Sequence, residues 1–286
     1  MNKPQEASVA QVSKPAPNDT NMTAPDDLIC PASSIFDAVQ TRSAIDAAIA
    51  TLIDPRDIRR ATVDILTAAQ KVGRDAIQAA FEAAPFDARP TTRAYSHLTD
   101  QLVGETLYVA TTYLHPLPNP TESERLSLIA VGGYGRGEMA PQSDVDLLFL
   151  TPYKITPWAE SMIESMLYIL WDLKLKVGHA SRTIKDCLRL ATDDYTIRTS
   201  LVEYRYLAGD AGLARDLGKK LWKDLFQSTA ADFIEAKLDE RAERHRKQGG
   251  QRYVVEPNVK EGKGGLRDLQ SLYWIGKYVN GVKEAS

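Results

Sequence analysis

The sequence predicts an α+β protein: a small mixed sheet flanked by helices, with a helical segment before it and a helical bundle after it. Three observations carry that prediction. Two short runs of mostly apolar residues, Leu126–Val131 and Val145–Leu150, flank one glycine-rich segment and read as strands. A third run alternates Leu173, Leu175 and Val177 with Lys174 and Lys176, the period of a strand. Much of the rest carries apolar residues at helical spacing, punctuated by caps and prolines. The second run is apolar on both faces, which places it inside the sheet.

Taken in order, residues 1–31 are rich in Ala, Pro, Asn, Thr and Gln and read as a disordered tail. Residues 32–115 form an N-terminal helical region. Ser34 reads as a cap with Asp37 three residues on, ahead of Ile45 and Ile49. Asp54-Pro55 opens a second helix, and a third runs from about Thr92 to Leu114 after breaks at Pro85 and Pro90. Pro116, Pro118 and Pro120 lead into a core of residues 116–183. There Thr156-Pro157 opens a helix to about Trp171, Gly178 to Arg182 closes the third strand, and Thr183 caps the next helix with Asp186. Residues 184–286 read as a helical domain, with helices near 184–192, 194–208, 211–227 and 230–248. Tyr253–Val255 reads as a short extended piece. Loop 256–268 then leads into a helix whose Leu266, Leu269, Leu272 and Ile275 face inward.

Composition bounds the function. The chain has 286 residues, 43% hydrophobic and 26% charged, enough for a sizeable core. A net charge of −3 argues against a general binder of DNA or RNA. No apolar stretch is long enough to span a membrane, and two cysteines support neither a disulfide framework nor a zinc cluster, so a cytoplasmic location is expected. His97 and His115 sit on helices without a partner motif, and Cys187 lies on an apolar stripe as inert core.

The chemistry concentrates in Gly132-Gly133-Tyr134-Gly135-Arg136-Gly137-Glu138, followed by Ser143-Asp144-Val145-Asp146. Side chains alternate along a strand, so Asp144 and Asp146 share a face about 6–7 Å apart along the chain. Two carboxylates at the mouth of a buried strand repel each other and lose hydration, and a divalent cation relieves both costs. Glycines let backbone amides approach an anion closely. Arg136 either forks onto a phosphate or braces the loop by pairing with Glu138. The spacing fits neither a P-loop, which needs Gly-Lys-Ser/Thr, nor a dinucleotide fingerprint, since the third glycine position holds Glu138. Donors for phosphate beside oxygen ligands for magnesium make a site for a nucleoside triphosphate and its metal. Further along, Lys260, Lys263 and Arg267 crowd a glycine-rich loop. That loop either folds toward the triphosphate or simply caps a helix over the sheet. The basic run Arg241 to Lys247 reads as a solvated helix face with i,i+4 pairs in preference to a site for an acidic partner.

The stretch VGGYGRGEMAPQSDVDLLFL resembles the signature of the DNA polymerase beta-like nucleotidyltransferase superfamily. Its GGYGRGE form resembles the bacterial bifunctional uridylyltransferases that act on PII signal proteins. LWDLKLKVGHASRT and EPNVKEGKGGLRDLQSLYW, in that order, resemble two further segments of those enzymes. The resemblance implies a nucleotidyltransferase core that moves UMP from UTP to a tyrosine of PII. It implies that Gly132, Gly133 and Ser143 contact triphosphate while Asp144 and Asp146 hold magnesium, or manganese in its place. Many members of the superfamily carry a third carboxylate on the next strand. Residues 173–183 show no acid, and Asp172 is either that ligand or a residue of the helix end. Enzymes of this resemblance are longer, with a hydrolase domain and glutamine-sensing domains, so a truncated chain lacking deuridylylation and glutamine control is expected. The alternatives are an adenylyltransferase of the same superfamily, acting on another protein or a small molecule, and a non-catalytic nucleotide-sensing module.

Overall fold

A four-stranded mixed sheet lies between two helical layers, and its strands form where the apolar runs are densest. The computed structural model describes residues 27–249, 256 and 258–281; most of the expected tail and the expected extended piece Tyr253–Val255 lie outside them. Strands β1 (Ser127–Ala130), β2 (Val145–Thr151), β3 (Val177–Thr183) and β4 (Arg205–Gly209) take the order β3-β2-β1-β4. β1 pairs antiparallel with both β2 and β4, while β2 and β3 run parallel. β2 is therefore internal, as its two apolar faces required. Leu147 and Phe149 enter one core with β1 residues Leu128 and Ala130, whereas Leu148 and Leu150 enter the other with Ile129.

The first core is closed by the N-terminal helices α1 (Ala32–Ile35), α2 (Ala38–Ile49), α3 (Pro55–Ala83) and α4 (Ala88–Val109), with α6 (Pro157–Asp172). Asp37, not Ser34, caps α2 by accepting the Gln40 amide; Ser34 falls inside the single turn of α1. Asp54 caps α3 with Pro55 at its first position, as the sequence indicates. α4 starts four residues ahead of Thr92, because Pro90 falls in the first turn, where a missing amide costs little.

The second core is closed by α7 (Ile184–Asp193), α8 (Tyr195–Val202), α9 (Ala211–Leu221), α10 (Ala230–Lys247) and α11 (Leu266–Asn280). Two sequence expectations fail here for clear reasons. Leu173 and Lys174 form a turn, in which Lys174 takes a left-handed φ of 62°, and the strand begins only at Val177, so that β3 is the mostly polar segment Val177–Thr183. The expected helix 194–208 stops at Val202, and Arg205–Gly209 pairs with β1 as an edge strand. α11 also turns its other face inward. Ser271, Trp274 and Tyr278 are buried, with Tyr278 stacked on Phe233, while Leu269 and Leu272 are 65% and 70% exposed.

Candidate active site

After β1 the chain reverses through one helical turn, α5 (Gly132–Gly135), before returning as β2. Gly132 takes a φ of 59°, which other residues adopt only with strain. The Val131 amide donates to the Asp146 carbonyl at 3.1 Å, so the residue entering the turn is tied to the strand that bears the acids. A Cβ at Gly132 would stand 3.4 Å from Asp146 Oδ2. The glycine turn and the Asp146 carboxylate are thus in contact range.

Asp144 is exposed at the strand's mouth, and Asp146 is half-buried on the face shared with Leu148 and Leu150. Burial raises the Asp146 pKa above the usual carboxylate range, and the charge of Asp144 raises it further. Both acids line one open cleft with Gly132, Gly133 and Ser143. On the neighbouring strand, Gly178 is the register partner of Asp146, and a Cβ there would lie 2.5 Å from Asp146 Oδ1. Among the described residues, no group of three or more His, Cys, Asp or Glu gathers as a metal cluster. Asp172 is placed elsewhere. It ends α6 with its carboxylate 3.5 Å from Arg59, and it does not line this cleft.

Arg136 lines the cleft and pairs with Glu203, not with Glu138. Its Nη1 donates to both Glu203 oxygens, at 2.6 and 2.7 Å, while Glu138 meets Arg89 at 3.4 Å. The Arg136 Nη2 lies 3.6 Å from where a Gly133 Cβ would be, so the guanidinium overhangs the turn. Burial raises the Glu203 pKa, and the Arg136 charge offsets part of that rise.

The opposite wall comes from α8, α10, α11 and the loop before α11, and it includes Lys260 and Arg267. Asn258 Oδ1 accepts the Lys260 and Glu261 amides, which shapes the loop. Arg267 donates to Gln270 and lies over the Trp274 ring at 5.5 Å. The basic run on α10 is not a purely solvated face. Arg244 and His245 reach the Asp268 carboxylate at 2.7 and 2.8 Å, and the Gly264 amide also donates to it. Burial opposes ionisation of Asp268, but these three donors outweigh it and hold its pKa at about 2.

With this geometry in view, the matches to known proteins fall into place. The family model described as a nucleotidyltransferase domain matches residues 120–200, and the one described as GlnD PII-uridylyltransferase matches residues 232–286. A bifunctional uridylyltransferase/uridylyl-removing enzyme of Cereibacter sphaeroides is 61% identical over 261 residues, covering 91% of this chain and 28% of that protein. The Ruegeria pomeroyi protein of that name is 62% identical over 252 residues, covering 88% and 28%. The Rhodospirillum rubrum protein of that name is 46% identical over 251 residues, covering 88% and 27%. Most of the chain is thus similar to one part of proteins of that name. It spans little more than a quarter of their length, 28% for the first two.

Within the chain, the nucleotidyltransferase match contains the glycine turn, Ser143 and both acids. The match to 232–286 contains Lys260 and Arg267, so the structure brings two separate family segments to one cleft. Sequence reasoning missed Asp100, Glu203 and Arg205, which hold the turn from behind. The one local signal was the aromatic and branched alternation Tyr204-Arg205-Tyr206-Leu207, which a helix reading absorbed. Cys187 is buried with its thiol pushed up to about 12, in keeping with inert core. No described helix is long and apolar enough to cross a membrane.

Proposed function

We propose that this chain is a uridylyltransferase that moves UMP from UTP to a tyrosine hydroxyl of a PII signal protein and releases pyrophosphate. The single observation that carries the reading is the acid pair facing a cleft directly beside the glycine turn. A divalent cation, magnesium or manganese, fits this donor set. Asp146 is driven toward neutrality by burial and by Asp144, and a positive ion between the two relieves that cost. Asp144 and Asp146 would hold it, and the remaining oxygens would come from the nucleotide. Once bound, the ion lowers the pKa of an attacking hydroxyl and stabilises charge on the transferring phosphoryl group.

The chain's own residues supply the rest. The turn presents the Gly132 and Gly133 backbone amides to the phosphates, with the Ser143 hydroxyl lining the same cleft. Arg136 adds a fixed positive charge, its direction set by Glu203. Lys260 and Arg267 offer cations from the facing wall, and Lys260 is exposed toward solvent. The tyrosine proton leaves to a carboxylate of the pair or to water.

Incubation with PII and each labelled nucleoside triphosphate, with and without magnesium, tests the reading. Label transfer from UTP that needs the ion is expected. Asp144→Asn with Asp146→Asn should reduce it to background while the melting curve keeps its shape. Undiminished transfer by that variant would refute the assignment of the acids. A preference for ATP would turn the reading to adenylyl transfer, and nucleotide binding without turnover would turn it to a sensing module.

A further inference from the structure

Three side chains from distant parts of the chain meet beneath the glycine turn. Asp100 comes from α4, Tyr134 from the turn itself and Arg205 from β4. The Tyr134 hydroxyl donates to Asp100 Oδ1 at 2.7 Å. Arg205 grips the same carboxylate as a fork, at 2.8 Å to Oδ2 and 3.0 Å to Oδ1. The same guanidinium donates to the Tyr134 carbonyl at 3.2 Å and to the Ser96 hydroxyl at 3.3 Å. Tyr134 is fully buried and Asp100 is 7% exposed, so the bond between them is shielded from water, while Arg205 reaches out to the cleft.

Nothing in this arrangement faces the cleft as a reacting group, except that Arg205 borders it. Its effect is to fix one residue of the turn at two points. Tyr134 is held by its hydroxyl and by its carbonyl, and the residue lies one position from Gly133 and two from Arg136. A buried, fully paired carboxylate that takes three donors is rigid in a way that a solvated loop is not. Preorganised donors act on a phosphate only if the backbone that bears them stays in place.

We propose that Asp100 is a positioning residue for the nucleotide: through Tyr134 and Arg205 it locks the glycine turn to helix α4 and so sets UTP affinity from outside the nucleotidyltransferase match. This rests on the transferase reading above. It extends the nucleotide site to helix α4, whose Arg89, Thr92 and Arg93 also line the cleft.

The test uses the whole chain carrying Asp100→Asn, Tyr134→Phe or, as a control, Glu105→Gln. Glu105 lies on the same helix, is also buried and pairs with Arg42 away from the turn. Asp100→Asn should raise KM for UTP about tenfold and change kcat less than about threefold. Tyr134→Phe, which deletes one hydroxyl and keeps the ring in its core, should give a smaller rise with the same split. Glu105→Gln should lower the melting temperature at least as much as Tyr134→Phe and leave KM unchanged. A KM that is constant in both turn variants, or that rises in all three in proportion to lost stability, overturns the proposal. Amide exchange across residues 132–137 gives a readout independent of turnover. It should quicken in both turn variants but not in the control, and unchanged protection also overturns the proposal. Wild-type protein that fails to use UTP would defeat the transferase reading, and the exchange data would still decide the clamp.

Discussion

At Gly178 a missing side chain does the work of a ligand's neighbour. The residue sits opposite Asp146 in the parallel ladder of β2 and β3, and even a methyl group there would fall 2.5 Å from Asp146 Oδ1. This gives a physical account of why no acid stands at 178: any side chain at that position collides with the one already there. Gly178→Ala should therefore force the carboxylate out of its rotamer or part the two strands locally. Because Gly178 is exposed on an edge strand, the melting temperature should move by no more than about 3 °C. UMP transfer should fall about 100-fold, since a misplaced ligand or donor commonly costs that much. Steady-state rates with a parallel thermal melt check both halves, and an active variant would show that Asp146 has freedom the packing does not suggest.

Between elements, the strongest tie of the N-terminal layer joins α2 to α4. Arg42 meets Glu105 as a fork, at 2.7 and 2.8 Å, and Glu105 is almost wholly buried. Burial raises the Glu105 pKa, and the Arg42 hydrogen bond and charge recover only part of that cost. A carboxyl with a raised native pKa stabilises the fold fully below its unfolded pKa and loses that contribution as pH climbs through the native value. Arg42→Met removes the compensating charge, so its penalty should be largest near pH 8, about 2–4 kcal/mol, and should shrink as the solution is acidified toward pH 5. Urea titrations at a series of pH values measure this, and a penalty independent of pH would contradict it. Elements also show where the sequence was readable. β1, β2, α3 and α6 announced themselves because a buried strand must be apolar on both faces and a cap must carry a particular side chain. β3 and β4 lie at the two edges of the sheet, where burial asks less of the residues. Their polar or mixed sequences accordingly passed as turn and helix. The acids and the glycine turn were legible because they are adjacent in sequence. Arg136 with Glu203 and Arg205 with Asp100 are 67 and 105 residues apart, and no local spacing signals such a pair.

Over the whole molecule, the cleft has two walls of different construction. One is the sheet edge, ladder-bonded and braced from behind by α4. The other is α10, the loop 258–265 and α11, fastened where Arg244 and His245 seize Asp268. Arg244→Ala should loosen that fastening. Amides of Gly262, Gly265 and Leu266 should exchange at least about tenfold faster, as a local opening that costs about 1.4 kcal/mol less requires. Those of β1 and β2 should keep their protection, and KM for UTP should rise. Exchange followed by mass spectrometry separates the two walls, and equal loss of protection in both would mean that the molecule opens as one body. The bond from the Val131 amide to the Asp146 carbonyl has a consequence for how a guest gets in. Because that bond ties the glycines to the strand that bears the acids, anvil and frame should travel as one piece when a visitor arrives: labels placed on the two should keep their spacing whether the cleft is empty or filled.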